Sequence, residues 1–145
     1  MRHALFLILF VAMPAGAEPI PEEALDSLPA AQVVVLGEVH DNPQHHLNQA
    51  RAIAAIAPAA VVWEMLTADQ AARMPEARDD PARLDAALGW AGSGWPDFAL
   101  YFPIVTAAGA ARHYGAGVPR AEARRAFAEG AAAVFGPEAA RFGLT

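Results

Sequence analysis

Between Gly37 and His46 the chain gathers Glu38, His40, Asp41, His45 and His46, the densest run of acids and imidazoles it contains. A further acid, Glu64, closes the apolar run Ala60–Trp63 downstream. One histidine with two carboxylates, Glu38, His40 and Glu64, suits ligation of a divalent metal ion or general acid–base chemistry. The competing reading is that Glu38 caps backbone N–H groups and His40 is a solvated loop residue. His45 and His46 fall in the first turn of an expected helix. There the positive end of the dipole keeps imidazole neutral, the form that binds a metal or haem iron. On the helical projection His46 leans to the apolar side and His45 to the polar side; a structural histidine packed under the loop is the alternative for either. Tyr101 and Tyr114 are the only two tyrosines. They could ligate ferric haem as phenolates or serve as half-buried packing. Trp90, Trp95, Phe98 and Phe102 either line a flat apolar pocket or form a satellite core.

The elements that must carry these groups follow from periodicity. Gln32–Leu36 contains three successive valines, which favour extended backbone, and its continuous apolarity predicts a strand covered on both faces and ended by Gly37. Asp41 or Asn42 caps a helix opening at Pro43 and running to about Ala57, with Leu47, Ala50, Ile53, Ala54 and Ala57 inward and Pro58 as the stop. Ala60–Trp63 is the next strand. Strand, helix and strand make a right-handed βαβ unit with parallel neighbours, and ligands collect beyond the carboxyl ends of such strands, where Glu38 and Glu64 both fall. Thr67 with Gln70 predicts a capping box on a short helix to about Met74. Asp80–Pro81 opens another through Leu88, closed by Gly89. Ile104 to about His113 reads as a packed helix, Tyr114–Val118 as a short third strand, Pro119–Arg120 as the start of an amphipathic helix to Glu129, and Pro137–Arg141 as a last helical piece. The fold class is therefore α/β, a βαβ-based parallel sheet flanked by helices.

Composition bounds the rest. With 145 residues, 55% of them hydrophobic, the chain supports a single domain. Net charge is −6 and all ten basic residues are scattered arginines, so no basic face for nucleic acid is present. The absence of cysteine excludes disulfides, thiolate metal sites and a cysteine nucleophile. Residues 1–17 read as a signal peptide: Arg2 and His3, an apolar run Ala4–Met13, then Pro14, Ala15, Gly16 and Ala17. That run is too short to span a bilayer, which takes about 20 residues. Cleavage after Ala17 is expected, with export to the periplasm or medium and no cysteine for a lipid anchor. Residues 18–31 form a proline-rich acidic lead-in with a helical turn near Glu22–Leu25, and residues 32–145 form the α/β domain.

LGEVHDNPQHH, VVWEM, WPDFALYFPIVTAA and GVPRAEARRAFAEG, in this order, resemble the amino-terminal part of the ChaN-like haem-binding uptake proteins. These belong to the Tiki superfamily, which also takes in TraB-type proteins and erythromycin esterases. The resemblance covers about Leu25 to Gly130. It implies an α/β fold, export to the cell envelope, and haem binding in iron acquisition, with a site involving Glu38, His40, Glu64, His46, Tyr101 and Arg120. An arginine such as Arg120 would grip a carboxylate or haem propionate. The second activity found in the superfamily is hydrolysis of esters or peptides, metal-dependent, through Glu38, His40 and Glu64. Haem is the expected cofactor, a divalent ion the alternative; a second copy of the chain and envelope uptake components are the further partners considered. Members are commonly nearly twice this long and carry a later GxH-like block that is not found here, and Gly117 stands where an asparagine is frequent. The expectation is thus an incomplete version of the ChaN-like fold, with one wall of a pocket.

Overall fold

A computed structural model describes residues 18–144; the expected signal peptide lies outside the described residues. Its longest helix, α1 (Pro43–Ile56), begins as the sequence dictates. The Asn42 side chain accepts from the Gln44 N–H at 3.0 Å, and Pro43 occupies the first helical position, where no N–H is needed. It ends at Ala57, whose φ of 47° makes it the one non-glycine with positive φ among the described residues. The inward face differs from the expected one. His46, Gln49, Ala52 and Ile53 are buried, while Leu47 is 52% exposed. The helix is turned by about one position because two polar side chains are needed inside. His46 Nε2 donates to the His40 carbonyl at 2.9 Å, and Gln49 Nε2 to the Leu36 carbonyl at 3.1 Å.

The sheet consists of β1 (Ala60–Trp63) and β2 (Arg112–Gly115), parallel, with Ala60 opposite Arg112 and Trp63 opposite Gly115. Between them run α2 (Ala68–Ala71), α3 (Pro81–Leu88) and α4 (Phe98–Ala107). The βαβ arrangement is therefore built one step later than expected, from β1 through these helices to β2. Gln32–Leu36, expected as the first strand, is not one. Val33 and Val35 are 78% and 87% exposed, and only Leu36 packs on the core. With no strand beside it among the described residues, this run is fastened by its far end. Gln49 holds Leu36 and Gly37, and the Val39 N–H donates to His45 Nδ1 at 2.8 Å.

Caps at α2 and α3 match the sequence signals, and α4 has one that was not expected. Thr67 and Gln70 form the reciprocal capping box, Asp80 accepts from the Ala82 and Arg83 N–H groups, and Asp97 accepts from Ala99. Helix α4 starts at Phe98 rather than Ile104 because Asp97 caps it and Pro103 is carried inside. It packs chiefly against α1. Their shared core contains Trp63, Leu66, Leu84, Leu88, Trp90, Phe98, Tyr101, Ile104 and Val105. Trp90 meets Phe98 at 5.2 Å and Tyr101 at 4.6 Å between ring centroids.

Strand β2 begins earlier than the expected Tyr114–Val118 and stops at Gly115, where the chain dives against the backbone following β1. The Ala116 N–H donates to the Trp63 carbonyl at 2.8 Å and the Gly117 N–H to the Leu66 carbonyl at 2.7 Å. A Cβ on Gly115 would overlap the Thr67 carbonyl, and one on Gly117 would sit 2.8 Å from the Glu64 and Leu66 oxygens. Beyond Val118, α5 (Arg120–Glu129), α6 (Ala131–Phe135) and a 3-10 segment (Gly136–Phe142) pack on one another, with no buried side chain in α5 or α6. Replacing Gly115 by alanine is expected to cost about 1–3 kcal/mol through overpacking, read as a lowered midpoint in thermal unfolding.

Between the strands, the Trp63 indole N–H donates to His113 Nδ1 at 2.8 Å and the rings stack at 5.8 Å. Burial, helped by the Arg78 charge, pushes the His113 pKa down to about 4. His113 is thus neutral in the fold and charges on unfolding, a contribution complete above its ordinary value of 6.5 and lost as pH falls towards 4. Unfolding followed across that window should show an acid loss that His113→Gln flattens.

Candidate functional site

Glu38 projects from the loop after the valine run, and its side chain is 8% exposed. Two elements send donors to it and a third brings a ring nitrogen alongside. From its own loop His40 brings Nδ1 to 2.7 Å of Oε1; from α4 the Tyr101 hydroxyl donates to the same oxygen at 3.0 Å; from α1 His46 places Nδ1 3.3 Å from Oε2. Burial alone would push the carboxyl pKa up. The donated bonds from His40 and Tyr101, the Gln49 amide and the neighbouring His46 outweigh it, so the group lies below its ordinary value of 4.5. Glu38 is therefore an anion at neutral pH and can only accept. The His40 proton must sit on Nδ1, and Nε2 of the neutral ring carries a lone pair pointing elsewhere.

Tyr101 and His46 lie beneath this pair. Tyr101 is wholly buried and His46 1% exposed, their rings 4.4 Å apart. Burial, the bond given to Glu38 and the charges of Glu38 and Glu64 raise the phenol of Tyr101 far above its usual range. It is a donor to Glu38 and not an available phenolate. His46 fixes the loop from below through the His40 carbonyl. His45 is half-buried and holds the Val39 N–H.

Glu64 does not join this cluster. It is exposed and lines a groove of about 540 Å³ together with Met65, Trp95, Gly117, Val118 and Arg120. Among the described residues no group of three histidine, aspartate or glutamate side chains is arranged to hold a metal ion. Glu38, His40 and Glu64 are thus divided between a buried hub and a groove wall. Trp95 joins the two places, since it lines the groove and meets the His40 ring edge-on at 4.7 Å. Arg120 stands at the groove rim and donates to the Ser93 carbonyl at 2.9 Å. Tyr114 lies on β2, 46% exposed, with the Arg112 guanidinium 5.8 Å above its ring. Trp90 and Phe98 belong to the core rather than to a ligand pocket, and Phe102 packs at its edge.

Sequence reasoning missed Gln49, which follows His46 by one turn and shares its buried face. The helical spacing of the two polar residues was the available signal, masked by the choice of Leu47 as the inward position.

Tyr101→Phe removes one donor from the Glu38 carboxylate. Its stability cost is expected at about 1–3 kcal/mol. Because the folded pKa of Glu38 is depressed, its contribution is present above 4.5 and lost as pH falls below it. In urea titrations the variant, already less stable at neutral pH, should lose less stability below pH 4.5 than the parent, because its folded Glu38 pKa lies closer to the unfolded value.

The haem-binding uptake family model of the Tiki superfamily, ChaN, matches residues 24–145. No curated protein and no solved structure matches the chain. The family match spans the hub, the groove and the helices around them, and with the α/β fold it establishes that the chain belongs to the ChaN family of haem-binding uptake proteins in the Tiki superfamily.

Proposed function

We propose that this is an exported haem-binding protein of iron or haem uptake, in which His40 Nε2 is the nitrogen offered to iron. The observation that carries the reading is the hydrogen bond from His40 Nδ1 to the buried Glu38 carboxylate at 2.7 Å. Metal-binding histidines characteristically give their second ring nitrogen to a carboxylate or carbonyl, which fixes the tautomer and raises the basicity of the free nitrogen. His40 is 38% exposed, so that nitrogen is reachable. The surroundings suit a flat macrocycle. The groove volume lies in the range of cofactor sites, Trp95 and Met65 offer apolar surface, and Arg120 supplies a cation for a propionate. Bound haem would contribute the iron centre and its redox chemistry. The chain's own part is to present His40, to hold Glu38 through Tyr101 and the loop through His46, and to keep Arg120 at the rim. Of the two tyrosines, Tyr114 has the exposure a second ligand would need. Periplasmic or secreted location rests on the leader-like pattern from Arg2 to Ala17.

Adding hemin to the purified mature protein should produce a Soret shift that His40→Ala abolishes. Glu38→Gln should weaken binding by about 10–100-fold. Absence of any spectral change with hemin would sink the proposal. The hydrolase alternative draws on the same nitrogen, because a carboxylate-backed imidazole is suited to take a proton from water. Ester cleavage by the hemin-free protein, lost in His40→Ala, would favour it instead.

A further inference from the structure

The loop from Trp90 to Pro96 is closed at its base, where the buried Trp90 donates its indole N–H to the Pro96 carbonyl at 2.7 Å. Its tip is held differently. Gly92 and Gly94 have φ of 81° and 93°, conformations open to glycine and strained for other residues. The Trp95 N–H turns back to Ser93 Oγ at 3.2 Å, the Trp95 ring packs at the edge of the core, and the tip's backbone is tied across to α5 by the bond from Arg120 Nη2 to the Ser93 carbonyl. Gly94 leaves room for that bond, since a Cβ there would lie 2.7 Å from Arg120 Nη2. The residue the tip positions is Trp95, the aromatic ring against His40.

We infer that Arg120 is a positioning residue, a latch that holds Trp95 across His40 until a ligand carboxylate draws the guanidinium away from Ser93. This rests on the reading of His40 as the ligand-binding nitrogen. The exchange follows from hydrogen-bond chemistry. A neutral carbonyl takes a single bond from Arg120, whereas a carboxylate can take two parallel charge-assisted bonds, each roughly twice as strong as a neutral one. The released Ser93 carbonyl is at an exposed tip and passes to water. The ligand class is accordingly a flat molecule with a carboxylate at its edge. Its acid end frees the loop that sets Trp95 against the imidazole, so the free acid is admitted over the neutral ester.

Acrylamide quenching of tryptophan fluorescence tests the latch without any porphyrin. Trp63 and Trp90 are buried and Trp95 is half-buried, so quenching reports on Trp95. Arg120→Ala is expected to raise the quenching constant roughly twofold, as local opening exposes the ring. Sodium acetate should raise it in the parent protein and leave Arg120→Ala unchanged. Gly94→Ala, which keeps the arginine but displaces it, should behave as Arg120→Ala does. Parent-like quenching in both variants, or an equal acetate response in parent and Arg120→Ala, overturns the inference. A second arm compares hemin with hemin dimethyl ester. The parent should take up the free acid about tenfold faster, and Arg120→Ala should take up both at the same rate. Slowing of both porphyrins by the same factor in Arg120→Ala would make Arg120 merely structural and overturn the latch. If hemin gives no signal in the parent protein, the haem reading fails while the quenching arm still decides the latch.

Discussion

The buried carboxylate of Glu38 is the constraint on which the rest of the site depends. An ionised group at 8% exposure is tolerated when its oxygens are occupied by donors. The donors come from separate parts of the chain, His40 of the loop itself and Tyr101 of α4, while α1 brings His46 Nδ1 to 3.3 Å of the other oxygen. Each contributes for this reason a polar atom to a place that packing alone would have given to an apolar side chain. The turn of α1 by one position, the complete burial of Tyr101 and the anchoring of the loop after the valine run all serve the same oxygens. Once the carboxylate is satisfied, the orientation and tautomer of His40 follow.

A division of labour between histidines results. His46 and His40 lie six residues apart and share Glu38, yet one is sealed under the loop and the other faces outward. The sealed ring holds the backbone of the open one, so the position of His40 is determined both by its side-chain partner and by the carbonyl behind it. A group held at both ends loses little freedom when it meets a ligand, which is the physical content of preorganisation.

Much of the local structure was legible because it is written in adjacent residues. Asn42–Pro43, Thr67 with Gln70 and Asp80–Pro81 mark helix starts through side-chain hydrogen bonds spanning a few positions, Pro119 marks one by its fixed φ alone, and each helix begins where its signal stands. Ala60–Trp63 was likewise readable as a strand. What failed is what depends on partners distant in sequence. The valines of Gln32–Leu36 have every property of a buried strand except a neighbour to pair with, and apolarity does not reveal that lack. The end of β2 is set by the close approach of Gly115 to the Thr67 carbonyl, a contact between segments far apart in the chain. In the site, proximity in sequence made Glu38, His40 and His46 visible as a group. The link to Tyr101 required α4 to pack on α1, and the separation of Glu64 from that group could be seen only once both strands were in place.

The C-terminal helices bear on the groove in another way. Neither α5 nor α6 buries a side chain, and Phe127 is 96% exposed, so these helices take almost nothing from the core's cooperativity. Segments of this kind open and close at a much smaller free-energy cost than the domain as a whole. Arg120 is the first residue of α5, and its hold on Ser93 lasts only as long as that end of the helix is formed. The time Trp95 spends against His40 is consequently set by fraying at a helix terminus in the least cooperative part of the chain, while the ring it meets is fixed by the most cooperative part.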